Sequence, residues 1–391
     1  MKSTYLKITL LSIGSLTIMA GATIAPSLPQ IQQVFAWESH SELLTKLSLT
    51  VPALFIAIFA PLAGILIDRF GRLNLLFFSL LLYGISGTAG FFSPDLYTLL
   101  LSRSVLGIAV AGVMTTSITL IADYFKGAER NAFMGLQGAF VAIGGIVFIL
   151  SGGLLAEISW RAPFLIYLCA FLLIPAALIF LFEPEREKLQ PISHSREALI
   201  AGKSQISLIY LTTFLGMMLF FIIPVQIPFY IKEQTGATNA LTGLAIASST
   251  LSSAIISLNY KRFRKHFSFS QIYAFCFFFL GLGYLVIFMA YSFNMIVLGL
   301  LIGGLGMGLL MPNSNIWAVS VSPEHTRGRI VGGLTTAVFL GQFISPVITQ
   351  PIQTFFASNT MYAFAGFTLL LMSGGFLIHH HRNRSTTYQK N

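Results

Sequence analysis

Read for apolar and polar positions alone, the chain alternates long apolar runs with short polar breaks. The runs cover residues 6–29, 44–67, 73–92, 97–121, 132–156, 162–182, 206–230, 238–258, 269–290, 294–320, 330–354 and 360–380. Each approaches the roughly 20 residues that an α-helix needs to cross a hydrocarbon core. None has the strict alternation of the roughly ten-residue strands of a membrane barrel. Backbone in lipid must satisfy its own hydrogen bonds, so the pattern predicts an all-α membrane protein with twelve transmembrane helices. The first run follows Lys2 and Lys7 and passes Ala20-Gly21-Ala22, the outline of a cleavable export signal. It continues through Ile24-Ala25-Pro26, however, and reads as part of a long helix.

Composition excludes a water-soluble fold. Of 391 residues, 55% are hydrophobic and 9% charged, against about 25% charged in soluble domains. So apolar a chain has too little polar surface to face water, and the lipid bilayer is its solvent. Cys169 and Cys276 both lie inside apolar runs, which implies packing rather than a disulfide framework.

The net charge of +10 matters less than where the charges fall. With the N-terminus in the cytoplasm, nineteen of the 23 basic residues lie on the cytoplasmic side; the exceptions are Lys46, Arg161 and Lys232 outside and Arg103 within a span. That asymmetry predicts a multi-pass protein of the cytoplasmic membrane with both termini inside. The cluster Tyr260 to His266 then becomes a topology anchor at the headgroups, and no nucleic-acid partner is implied. His379, His380 and His381 mark the inner end of the last span rather than a metal site. The polar stretch 183–205 divides the chain into an N-terminal six-helix half, 1–182, and a C-terminal one, 206–391.

The halves echo one another. Arg130, Gly135 and Gly144 match Arg327, Gly332 and Gly341 at a constant offset of 197. Pro26 and Pro29 in span one are echoed by Pro224 and Pro228 in span seven, and IDRFGR around Asp68 by YKRFRK around Lys261. The pattern predicts two halves related by pseudo-two-fold symmetry. Transporters built from such repeats bind substrate near the midplane and rock the halves.

Gly64, three residues, then Asp68-Arg69-Phe70-Gly71-Arg72, between spans two and three, resembles the signature loop of the major facilitator superfamily. Arg103 with Gly107 in span four resembles a second pattern of that family, and Trp160-Arg161 ahead of span six is also typical. The twelve-span drug:proton antiporter branch is the most similar. That branch has Gly-Pro, two residues, then Gly-Gly in span five. Here Gly144, Gly152 and Gly153 are kept, but Phe148-Ile149 replaces Gly-Pro, and Ser345-Pro346 stands at the equivalent place in span eleven. These glycines, with Gly341 and Pro346, point to close helix packing.

The resemblance implies a secondary active transporter of small molecules, working by alternating access as a monomer without cofactor or metal. Multidrug efflux coupled to protons is the leading expectation. A dedicated carrier of a metabolite or siderophore-like anion is the second, and a non-transporting membrane receptor the third. Against an enzyme, no His/Cys/carboxylate cluster has metal spacing and no phosphate-binding Gly-x4-Gly-Lys-Ser/Thr loop occurs.

All 13 acids lie in loops or near span ends, so no carboxylate stands near a midplane, where solvation could shift its pKa between states. Coupling is therefore expected at Asp68 and Asp123, or through protons carried by the substrate itself, with Glu42 a weaker candidate. Arg103, a charge inside a span, is read either as a proton-relay or substrate-facing cation or as a structural tie to backbone carbonyls. Spans one, four, seven and ten line the cavity in the family. That offers Thr23, Ser27, Thr115, Thr116, Met217, Phe220, Gln226, Tyr230, Asn313, Asn315 and Trp317 as substrate contacts, the amides being equally suited to interhelical bonds. Gly64, Asp68, Arg69, Gly71, Arg72, Asp123, Arg130, Arg327 and Arg329 form the expected inner gate. Gly64 and Gly71 would allow close backbone approach and a turn. Asp68 would cap a neighbouring helix or pair with a basic residue; the resemblance points to Arg327 or Arg329.

Overall fold

The computed structural model describes residues 2–184, 203–323, 326–355 and 359–388. Glu185, Arg186, Glu187, Lys188, Arg196 and Glu197 of the expected linker, together with Glu324 and Lys390, lie outside the described residues. Among the described residues the regular structure is helical, and 12 helices are long and apolar enough to cross a membrane. In chain order they are Thr4–Val34, Ser41–Phe70, Arg72–Phe92, Leu96–Tyr124, Gly127–Ile158, Ala162–Phe180, Ser204–Thr235, Asn239–Leu258, Phe269–Phe288, Phe293–Ser320, Arg327–Gln353 and Thr360–His381, hereafter spans one to twelve. The twelve-helix architecture predicted by the apolar runs is the one the chain adopts. The helices form two compact units, Met1–His194 with Thr238–Leu244, and Ser195–Ala237 with Ala245–Asn391.

In the first unit, span one is broken. A helix over Lys2–Ala22 gives way to a 3-10 turn at Ala25–Ser27 and a second helix over Leu28–Val34. Pro26 and Pro29 cause this, because each removes an amide and crowds the preceding turn. In an apolar interior the freed polar groups need other partners. Ala25 O accepts from Leu28 N, and the buried Thr23 and Ser27 hydroxyls are satisfied locally on Met19 O at 3.0 Å and Ile24 O at 2.8 Å. Lipid tails provide no hydrophobic drive between helices, so the unit is held by close packing and such polar ties. Gly152 of span five lies against the Thr23 carbonyl, where any side chain would collide with backbone.

The second unit repeats the device. Span seven breaks at Phe221, between helices Lys203–Phe220 and Ile222–Thr235, just ahead of Pro224. The buried Tyr284 hydroxyl of span nine donates to Leu219 O beside the break. Gly341 of span eleven packs against the Phe214 carbonyl. A short helix, Tyr260–His266, follows span eight, and span nine then starts with a capping box between Ser268 and Gln271.

Candidate functional site

The stretch Gly64 to Arg72 closes span two and opens span three. Gly71 has φ +90°, a left-handed conformation suited to glycine, and its N–H ends the helix on Ile67 O at 3.0 Å. Span three therefore begins abruptly at Arg72 with its first amides exposed. The Glu183 carboxylate, just beyond span six, takes both. Oε1 accepts from Arg72 N at 2.7 Å and Oε2 from Leu73 N at 2.8 Å. The Arg72 side chain turns to span four, where Nε donates to Asp123 Oδ2 at 3.0 Å in a half-buried ion pair. Next to Asp123, the Tyr124 hydroxyl donates to Phe182 O and accepts from Phe182 N, with the two rings 4.6 Å apart. The ends of spans three, four and six on this side are thus fastened around one loop.

Two expectations for this loop change. Asp68 is exposed and makes no hydrogen bond or ion pair among the described residues; the cap expected of it comes from Glu183, which can reach the start of span three, whereas Asp68 is still in span two. A side chain at Gly64 would meet open space, so only Gly71 is needed for geometry. Arg69, Arg130, Arg327 and Arg329 are exposed, with Arg69 lying 5.4 Å from the Phe70 ring.

Arg103 is wholly buried. Its Nε donates to Ser48 O of span two at 3.1 Å, one terminal nitrogen to Tyr167 OH of span six at 2.8 Å, and the other to Ala20 O of span one. Tyr167 OH lies 3.1 Å from the same Ala20 carbonyl. The guanidinium thus sits at the C-terminal end of the first helix of span one, where backbone carbonyls lack amide partners and a cation is favoured. Of the two readings of Arg103, this geometry is that of the structural tie.

Lys46 corrects the charge map. It was expected in an outer segment, but it lies within span two at 1% exposure, its Nζ 2.8 Å from Glu42 Oε1 one turn earlier. Arg103 is therefore not alone as a basic residue inside a span. Acids that the sequence places merely at outer ends also prove to cap helices. Glu38 accepts from Leu96 N at 2.9 Å and Glu157 from Ala240 N at 2.8 Å.

Several expected substrate contacts are engaged in packing. Asn313 bridges Tyr260 OH and Phe269 O at 2.9 and 3.0 Å. Trp317 stacks on Phe269, 5.4 Å between centroids, and Tyr230 donates toward Ile287 O at 3.3 Å. Asn315 turns back on Met311 O of its own helix. Thr23 and Ser27 are buried and bonded to span one, and Met217 is buried. Gln226 is divided: Nε2 donates to Thr349 Oγ1 at 3.1 Å, while its buried Oε1 has no partner among the described residues. Thr116 Oγ1 and Ser345 Oγ are in the same condition, and Thr115 and Phe220 are half-buried. Gly144 lies against Ser15, Gly153 against the Asn239 carbonyl, and Pro346 is buried. Sequence reading missed the node of Thr213, Ser314 and Tyr273, whose hydroxyls meet at 2.8 Å and join spans seven, nine and ten. Among the described residues no three His, Cys, Asp or Glu side chains converge on a metal site.

Comparison with known proteins bears on what this assembly serves. The chain is similar to the tetracycline resistance protein, class H, of Pasteurella multocida, 30% identical over 199 residues, 50% of this chain and 47% of that one. It is similar to the bacillibactin exporter of Bacillus subtilis, 30% identical over 164 residues, 40% of each. These matches span less than half the length of either relative. Among solved structures a D-xylose-proton symporter superposes with a TM-score of 0.76, at 15% identity, over 95% of this chain and 97% of that chain, which speaks to the fold alone. The family model described as Major Facilitator Superfamily matches residues 10–208 and again 206–389. With both halves of the sequence covered in this way, the chain belongs to the Major Facilitator Superfamily.

Proposed function

We propose that this chain exports small amphipathic molecules across the cytoplasmic membrane in exchange for protons. It works as a monomer with both termini in the cytoplasm, through alternating movement of the halves 1–182 and 206–391. The reading is carried by similarity to a tetracycline resistance protein over half the chain. The proline breaks of spans one and seven also support it, since discontinuous helices expose backbone to bound solutes and let a helix flex. Proton coupling is assigned to acids at span ends. Asp123 beside Arg72 and Glu42 beside Lys46 are carboxylates whose protonation would release a basic partner, and Asp68 is the gate acid. Arg103 holds the broken span one in register for this movement. Substrate contact falls to Thr115, Thr116, Phe220 and the Oε1 of Gln226, polar or aromatic groups with capacity left for a ligand.

A dedicated carrier of a siderophore-like anion or other metabolite is the second reading, favoured by similarity to the bacillibactin exporter. Accumulation assays in cells with and without the protein separate the two, using cationic dyes in one arm and anionic siderophores in the other. Export of the dyes by reconstituted protein, driven by an imposed pH gradient, is the expected result. Transport indifferent to that gradient rejects proton coupling, and movement of the anions alone selects the second reading.

A further inference from the structure

The loop after span two and the loop after span eight are echoes of one another in sequence, yet they neutralise charge differently. In the first, Arg72 has Asp123, Glu183 caps the helix start, and Asp68 is adjacent. In the second, Lys261, Arg262, Arg264, Lys265 and His266 are all exposed on one short helix, Tyr260–His266. No Asp or Glu occurs anywhere between Glu233 and Glu324. Among the described residues none of these five side chains enters an ion pair. So many like charges on so short a helix repel one another and attract a counter-ion, which no described residue supplies.

The rest of the helix fixes where that counter-ion must be. Tyr260 is buried and Phe263 and Phe267 are half-buried, the inward face at spacings of three and four residues. Tyr260 OH donates to Asn313 of span ten, and the Arg264 guanidinium lies 4.0 Å from the centre of the Phe269 ring, which stacks on Trp317. The helix is therefore held between the ends of spans eight and nine, at the level where a membrane ends, with Lys261, Arg262 and Lys265 turned outward. Apolar faces inward and cations at the interface are the arrangement of a headgroup-binding segment.

We propose that the Tyr260–His266 helix is a binding site for anionic phospholipid headgroups, with Lys261, Arg262 and Lys265 contacting the phosphate. Its contact to Asn313, and that of Arg264 to the Phe269 ring stacked on Trp317, transmit occupancy to span ten. The choice of the inner leaflet rests on the orientation proposed above; the site itself does not, because protein in a nanodisc or detergent exposes both faces.

The test uses the full purified chain. Short-chain phosphatidylglycerol and phosphatidylcholine with the same acyl chains are titrated against it, with thermal unfolding as the readout. Phosphatidylglycerol is expected to raise the unfolding temperature well beyond phosphatidylcholine, and the difference to shrink with added salt. In Lys261→Gln/Arg262→Gln/Lys265→Gln the apparent affinity for phosphatidylglycerol should fall roughly 100-fold, about fivefold per charge. The charge-conserving Lys261→Arg/Lys265→Arg should keep it. Equal stabilisation by both lipids, or an unchanged response in the triple variant, overturns the proposal. So does an equal shift with inorganic phosphate alone, which would mark a site for soluble phosphoryl groups. Should the triple variant fail to fold, the salt dependence and the arginine variant still decide.

Discussion

The Glu183 carboxylate accepts from Arg72 N at 2.7 Å and, through its second oxygen, from the next amide along. The two residues are 111 positions apart, at opposite ends of a four-span stretch. This bond fixes the path of the loop after Gly71. Arg72 can then aim its side chain at Asp123 rather than at solvent.

Removing that cap should loosen the loop. Glu183 is exposed, so water partly compensates, and Glu183→Ala should cost about 0.5–2 kcal/mol, the range for losing a helix cap. Glu183→Gln should fall between, since one amide oxygen can still accept. Thermal unfolding of the two variants checks the order. A double-mutant cycle with Asp123→Asn should show non-additivity, because both act on Arg72. Strict additivity would mean that cap and ion pair are independent.

Asp68→Asn should behave in the opposite way. The side chain is exposed and makes no hydrogen bond or ion pair among the described residues, so unfolding temperature should stay within about a degree or two of the parent. Transport should be lost, because the proposed gate depends on that charge in another conformation. Near-normal transport in the variant would remove Asp68 from the gate.

The architecture was legible because period, length and charge asymmetry are local or additive signals. Twelve apolar runs need no knowledge of what packs where. The proline pairs at 26/29 and 224/228 were read only as an echo between the halves, not as the helix breaks beside which they stand. The site was legible only where the chemistry is local. Gly71 announces its own conformation, but nothing in Phe182-Glu183-Pro184 says that the carboxylate folds back onto span three. The same limit hid Tyr167 as the partner of Arg103, 64 positions away, and the meeting of Thr213, Ser314 and Tyr273. Lys46 was misplaced because a charge near a span end counts as a loop charge until a partner such as Glu42 is seen beside it. For Asn313 substrate contact and interhelical bonding stayed equally open, because an amide in an apolar run shows its need for partners but not their identity.

Arg103 should be intolerant even of conservative change. Its three nitrogens serve two carbonyls and a hydroxyl on three different spans. Lysine keeps the charge but has one nitrogen, which cannot span that fork. Each buried acceptor left unpaired costs about 1–3 kcal/mol. Arg103→Lys and Arg103→Gln should therefore both lower the unfolding temperature sharply and reduce yield. If Arg103 acted only in proton relay, Arg103→Lys would remain as stable as the parent and fail only in pH-driven transport.

Gly152 and Gly64 make a paired test of which glycines matter for packing. A methyl group at Gly152 would be driven into the Thr23 carbonyl, a backbone atom at the break of span one that cannot rotate away. Spans one and five would have to separate, losing contacts over much of their length, and in lipid no hydrophobic gain offsets the loss. Gly152→Ala should therefore destabilise by about 1–3 kcal/mol, as overpacking does elsewhere. At Gly64 the same methyl meets open space within a helix, so Gly64→Ala should be neutral or gain up to about 1 kcal/mol from helix propensity. Unfolding temperatures of the two variants, measured side by side, should move in opposite directions. If Gly64→Ala is as stable as expected yet transports poorly, the glycine serves a conformation other than this one. Gly152→Ala at parental stability would show that span one can shift away from span five at its break.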